Sequence, residues 1–408
     1  MIELLIKNIG LLATPVGREP QKGAAQGKIR ILENAALGMD NGKITYIGGT
    51  GDAPAAREYI DAGGRLVTPG LVDPHTHLIF GGFRQHELDA KLAGASYMEI
   101  LAAGGGILST VSETRASTAG ELRQKGLKFL DSILAHGTTT LEIKSGYGLN
   151  LETEIKQLET AMELKNSHPM DIISTFMGAH AVPPEFKENP EGYIELLTKV
   201  IIPEIARKNL AQYCDVFCEK GVFDIGQSRR ILRTAKEHGF KLKIHADEIQ
   251  PMGGAALAAE MGAVSAEHLI EASDDGLEAM AKAGVIAVLL PATSFYLGKN
   301  YARAKEMVEM EIPVAIATDF NPGSSPNYNL QLCLNLACLK YRLSPAQALC
   351  AATLNAAAAI GQAKSKGSLE IDKDGDAVIW DCPDLNFLFY RYGNNQVYRV
   401  IKNGGLIK

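Results

Sequence analysis

Short apolar runs punctuate the middle of the chain at residues 71–73, 138–143, 172–177, 213–217, 242–244, 264–266, 285–290 and 314–317, with helical patterns in the gaps. Ile155, Leu158 and Met162 fall on one helical face, and Ser344-Pro345 reads as an N-cap and first-turn proline of a helix that Gly361 closes. Strand then helix, eight times over, predicts an α/β fold of the (β/α)8 TIM barrel type. A doubly wound open sheet is the rival, but no G-x-G-x-x-G follows the first strand.

The two ends carry a different pattern. Residues 36–39 and 44–47 flank Asn41-Gly42, residues 368–371 and 377–380 flank Asp374-Gly375, and residues 397–401 meet 406–407 across Asn403-Gly404. Such dipeptides accept the positive φ angles of tight hairpin turns. Neither end is long enough to bury much surface alone, so both are expected to join in one small domain. The organisation that follows is a β-sandwich domain from the N- and C-terminal segments 1–68 and 362–408, beside a barrel over 69–361.

Composition narrows the class. Of 408 residues, 46% are hydrophobic and 22% charged, the balance of a soluble globular protein rather than of a disordered chain or coiled coil. A formal net charge of −6 gives phosphate backbones and anionic membranes no broad attraction, so neither nucleic acid nor membrane is an expected partner. The six cysteines lack the paired C-x-x-C spacing of structural zinc sites and read as small buried apolar groups. No stretch approaches the roughly 20 apolar residues of a spanning helix. The first residues also lack a basic leader, so a cytoplasmic protein is expected.

The strongest chemical signal is Asp73-Pro74-His75-Thr76-His77 at the end of the first run. Strand residues two apart point the same way, so His75 and His77 can aim two imidazoles at one point. His245 closes the fifth run and Asp319 the eighth, and in a barrel all strand ends of one polarity meet on one face. Three imidazoles and one carboxylate suit Zn2+ or Fe2+, with Fe3+ also compatible. Glu248 and His268 lie nearby in sequence. Each can hold or move a proton for an attacking water, or stand behind a ligand and orient it. Lys144 at the end of the second run reads as one half of an internal ion pair. His86, His136 and His168 read as exposed or helix-capping groups.

The H-x-H after the first strand, His245 on the fifth, His268 on the sixth and Asp319 on the eighth resemble the amidohydrolase superfamily. Its barrels hydrolyse amides, cyclic amides and amidines. The strings PGLVDPHTHLIFGGFRQHEL, TLEIKSGYGL, STFMGAHAVPPEF, KIHADEI and ATDFNPGSS are similar to those of members that open the ring of 4-imidazolone-5-propanoate to N-formimidoyl-L-glutamate in histidine degradation. The resemblance implies that His75, His77, His245 and Asp319 hold one divalent metal per subunit, and that His268, Asp319 and Glu248 serve catalysis. It implies substrate contacts from Arg84, Tyr147, His180, Glu248, Asn321, Gly323 and Ser324, with Arg84 on the propionate tail. Glu248 is left with two roles, holding a ring N–H or assisting the water. Binuclear members bridge two metals with a carboxylated lysine on the fourth strand. Here that strand offers only Lys220 beyond Glu219, so one metal is expected. A homodimer is the expected assembly. Two rival readings are a deaminase of free purine or pyrimidine bases with the same metal set, and a barrel kept as a non-catalytic scaffold.

Overall fold

A computed structural model of the chain describes residues 1–95, 99 and 104–407. The terminal segments build one curled sheet of eight strands. Its longest strand, β1 (Ile2–Thr14), pairs antiparallel with β2 (Arg30–Asp40), which turns through Asn41 and Gly42, both at positive φ, into β3 (Lys43–Gly49). On its other edge β1 runs parallel first to β4 (Ala56–Asp61) and then to β5 (Leu66–Pro69). The C-terminal strand β14 (Ala377–Trp380) adds to β5, followed by β15 (Val397–Lys402) and β16 (Gly405–Leu406). Leu4, Ile6, Ile9, Leu37, Met39, Val67, Ile379 and Ile401 share its core, so both chain ends bury apolar surface that neither could cover alone.

The second sheet is the barrel. Its strands are β6 (Leu71–Asp73), β7 (Thr138–Lys144), β8 (Asp171–Ala179), β9 (Tyr213–Cys218), β10 (Lys241–Ala246), β11 (Ser265–His268), β12 (Ile286–Leu289) and β13 (Val314–Ile316), all parallel and in chain order. The seam between β6 and β13 closes just beyond the strands themselves. Thr76 bridges Phe320, the His77 N–H donates to the Phe320 carbonyl (2.8 Å), and the Asp319 N–H donates to the His75 carbonyl (3.1 Å). The Asp73 carboxylate completes the seam by accepting from the Thr318 N–H (3.1 Å) and hydroxyl (2.5 Å). The ends of the first and last strands are thereby fixed against each other where the candidate ligands sit.

The two sheets are tied by charge. Asp171, the first residue of β8, meets the buried ammonium groups of Lys366 and Lys402, and the same two lysines hold Asp376.

Three expectations change. Residues 368–371 do not form a hairpin strand before Asp374-Gly375. The buried Lys373 ammonium gathers the carbonyls of Gly17, Ala363 and Lys366 instead, which folds this segment into turns. The helix opened by Ser344 stops at Ala351, and a second one, Leu354–Ala359, precedes Gly361. The break presents the Ala352 carbonyl to the Val72 N–H of β6 (2.8 Å). In the helix Leu151–Ser167, Leu158 is buried but Met162 is exposed, because Glu154 and Gln157 take inward positions and bond the loop carrying Tyr147. His168 ends that helix and His136 ends Ala119–Ala135, as expected.

Candidate metal-dependent active site

His75 and His77 leave β6 together, and β10 delivers His245 to the same point. One ligand atom from each of the three buried imidazoles lies within 4.8 Å of the others. Asp319 Oδ1 is 3.3 Å from His75 Nε2 and 3.6 Å from His77 Nε2. Nε2 of His75 and Nε2 of His245 are buried without a hydrogen-bond partner among the described residues, as is Nδ1 of His77. Three buried imidazoles that can bring one nitrogen each to a common point, two of them with an unpaired Nε2, and a carboxylate oxygen beside them are the donor set of a divalent cation, so these four residues fit one. Burial, and after it the charge of Lys144, holds the His75 imidazole well below its ordinary pKa, which keeps it neutral as a ligand must be.

The far sides of two rings are fixed. His75 Nδ1 bonds the Glu267 carboxylate, and His245 Nδ1 bonds Asp215 Oδ1 at 3.1 Å. These contacts set the tautomer with hydrogen on Nδ1 and the lone pair on Nε2. Behind them lie two buried lysines. Lys144 Nζ is 2.7 Å from Asp215 Oδ2 and 2.8 Å from Glu142 Oε2, and Lys243 Nζ is 3.0 Å from Glu142 Oε1 and 3.3 Å from Glu267 Oε1. Lys144 therefore makes the internal ion pairs expected of it. Burial opposes its charge, but Asp215, Glu142 and Glu267 outweigh that and hold the ammonium above its ordinary range.

Asp319 and His268 adopt positive φ angles of 52° and 69°, a conformation that costs a non-glycine residue on the order of 1 kcal/mol or more. Asp319 is kept there by the seam and by the Thr293 hydroxyl, which donates to its Oδ2 at 2.7 Å. Burial pushes its carboxyl up to about 6 against that hydrogen bond. His268 Nε2 stands 3.6 Å from Glu248 Oε2, and its Nδ1 is buried without a partner among the described residues. Burial, then the Asp319 charge, pushes the Glu248 carboxyl up to about 8. The loop after Glu248 is pinned by Glu219, whose Oε2 accepts from the Ile249 N–H at 2.9 Å.

The remaining expected residues surround this centre. The His180 ring stacks on His77 at 4.8 Å, its Nδ1–H donating to the Gly146 carbonyl (3.1 Å). Tyr147 is buried, its ring 5.8 Å from His77 and 5.3 Å from His180. Asn321 organises the turn after β13: its Oδ1 accepts from the N–H groups of Gly323 and Ser324, both at 2.8 Å, and its Nδ2 donates to Ser324 Oγ. Arg84 donates its backbone N–H to the Pro322 carbonyl (3.3 Å) and lays its guanidinium over Gly323, with Nε buried and unpaired among the described residues.

Sequence reading missed the roles of Glu142, Asp215, Lys243, Glu267 and Thr293. A signal was there: Glu142 with Lys144, Lys243 with His245, and Ser265 with Glu267 alternate along strands that a covered parallel sheet would otherwise fill with apolar side chains.

The family model described as the amidohydrolase family matches residues 66–407. A protein of Bacillus velezensis named imidazolonepropionase is 51% identical, over 99% of this chain and 96% of its own length. One of the same name from Treponema denticola is 54% identical, over 90% of this chain and 91% of its own. Among solved structures, E. coli guanine deaminase has a TM-score of 0.74 at 18% identity, covering 99% of this chain and 98% of that one. An adenosine deaminase from Xanthomonas campestris with bound zinc has a TM-score of 0.69 at 20% identity, covering 99% and 92%. At such identities the structural likeness speaks for the fold alone. The match of the family model over most of the chain, with relatives about half identical over nearly its full length, shows that the chain belongs to the amidohydrolase family.

Proposed function

We propose that the chain hydrolyses the cyclic amide of 4-imidazolone-5-propanoate to N-formimidoyl-L-glutamate, the reaction in the name of its relatives. The observation that carries this reading is the near-full-length identity of about half to those relatives. His75, His77, His245 and Asp319 would hold one divalent ion, with zinc and iron(II) both suited to three imidazoles and a carboxylate. When bound, such an ion supplies Lewis acidity, bringing the pKa of water towards about 7 and polarising a carbonyl.

The chain's own groups do the rest. Water adds to the ring carbonyl carbon and the ring C–N bond breaks, so one proton must leave the water and one must reach the departing nitrogen. Asp319 Oδ1 stands among the ligand nitrogens and carries that proton, with Thr293 keeping its other oxygen occupied. His268 donates towards the oxygen that gains negative charge, and Glu248 beside it holds a ring N–H. His180 and Tyr147 wall the pocket. Arg84 presents a planar fork to the propionate carboxylate, away from the reacting atoms.

The test is turnover of freshly prepared 4-imidazolone-5-propanoate by metal-loaded protein, scored as N-formimidoyl-L-glutamate formed above spontaneous decay. Turnover lost on chelation supports the reading. No turnover in protein confirmed to hold metal sinks the substrate assignment and leaves deamination of a free base as the next activity to assay.

A further inference from the structure

We infer that Lys144 is a positioning residue for the metal centre, an ammonium that sets the orientation of the His245 ligand through Asp215. Asp215 divides its oxygens: Oδ1 accepts from the ring and backbone N–H of His245 at 3.1 and 3.2 Å, and Oδ2 accepts from Lys144 at 2.7 Å. Glu267 is arranged differently: its Oε2 bonds His75 Nδ1 and lies 3.9 Å from Lys144 Nζ, while its Oε1 accepts from Ser265 at 2.6 Å and faces Lys243. The side chains of Lys144, Asp215 and Glu267 have no solvent exposure, so neither carboxylate can turn to water for a substitute partner. Lys243, the second cation of the cluster, serves Glu142 and the Pro74 carbonyl at 3.0 Å and also lies 3.3 Å from Glu267 Oε1, so Glu267 keeps a cation when Lys144 is removed and Asp215 is the carboxylate that depends on Lys144.

Three buried carboxylates face two buried ammonium groups. Remove Lys144, and Asp215 loses the cation on the oxygen opposite His245 while its repulsion with Glu267 and Glu142 is no longer offset. Asp215 then turns, and the His245 imidazole it holds turns with it, taking Nε2 off the common point. A change in such a supporting partner lowers metal affinity by roughly 10- to 100-fold.

The inference rests on the metal-site reading above and has its own readout. Zinc affinity is measured by competition with a chromophoric chelator, using full-length protein stripped and retitrated. The proteins compared are wild type, Lys144→Met and Lys144→Met/Glu142→Gln. The double substitution restores the net charge of the buried cluster, so it keeps the fold while leaving Asp215 without its cation. We expect both folded variants to bind zinc about 10- to 100-fold more weakly than wild type. Affinity within threefold of wild type in either folded variant overturns the proposal. Should neither variant fold, ring nitrogen shifts in the metal-free wild-type protein decide. Hydrogen on Nδ1 of His245 supports it, and hydrogen on its Nε2 overturns it. A wild-type protein that binds no zinc or iron sinks the metal site itself, a result distinct from wild-type binding with unaffected variants.

Discussion

Replacing Gly323 with alanine is expected to disable Arg84 without altering it. A Cβ on Gly323 would lie 1.1 Å from Nη2 of Arg84, 1.7 Å from its Cζ and 2.2 Å from its Nε, so the guanidinium has to leave the turn. Little else need move. The residue is not at a positive φ, its N–H keeps Asn321 Oδ1, and the displaced atoms end a flexible side chain. Gly323 is buried, so the cost in stability is bounded by that of overpacking, about 1–3 kcal/mol, and a flexible guanidinium that can swing away keeps it towards the low end. Hydrogen bonds to a charged group are worth roughly 1.5–3 kcal/mol. At 1.4 kcal/mol per decade, their loss raises KM about 10- to 150-fold. The propionate is remote from the ring carbonyl, and its contact is alike in ground and transition states, so kcat should hold. Steady-state kinetics on Gly323→Ala, Arg84→Ala and the double variant test this. Both substitutions act through one guanidinium, so the second should add almost nothing to the first. A wild-type KM for Gly323→Ala, or penalties that simply add in the double variant, refutes the reasoning.

Three further outcomes are expected. His75→Ala should lose both turnover and bound metal, since it removes an unpaired Nε2 from the ligand group; full metal stoichiometry in that variant would refute the ligand assignment. Thr293→Val leaves Oδ2 of Asp319 buried without its 2.7 Å donor, a loss of about 1–3 kcal/mol, and kcat should fall while metal is retained; an unchanged kcat refutes the role of that hydroxyl. Burial pushes the Asp171 carboxyl up, but Lys402 and Lys366 outweigh it and hold it below the usual range, so its contribution to stability is present at neutral pH and lost as pH falls below about 4. Asp171→Asn should cost about 1–2 kcal/mol at pH 7, because the carboxylate is partly exposed and both lysines keep Asp376, and the difference from wild type in urea midpoint should shrink steadily as pH falls below about 4. A difference that grows on acidification refutes it.

The barrel was legible because its strands are short apolar runs at regular intervals, and the histidine cluster was legible because His75 and His77 obey the two-residue period of a strand. His245 and Asp319 followed from fold geometry, which places strand ends together whatever their separation in sequence. The supporting carboxylates were not, since Glu267 meets His75 across 192 positions. What decides that contact is the register in which Glu267 sits beside His245 on the neighbouring strand. No local pattern contains such a register. Met162 failed for a related reason: a helix face chosen by apolar spacing cannot foresee that Glu154 and Gln157 turn inward to bond the Tyr147 loop. The segment 368–371 looked like a strand because its composition allows one, whereas the Lys373 ammonium and its carbonyl partners decide the backbone there.

The seam between β6 and β13 also sets an order of events during synthesis. His75 and His77 leave the ribosome early, yet the backbone bonds that fix them come from Asp319 and Phe320, more than 240 residues later. The inner edge of β5 waits longer still, for β14 near residue 377. A nascent chain interrupted before Asp319 holds an open barrel, and one interrupted between that point and β14 still leaves the edge of β5 unpaired. A C-terminal truncation reaching β14 should therefore expose that edge and lower the yield of folded protein rather than trim a dispensable tail.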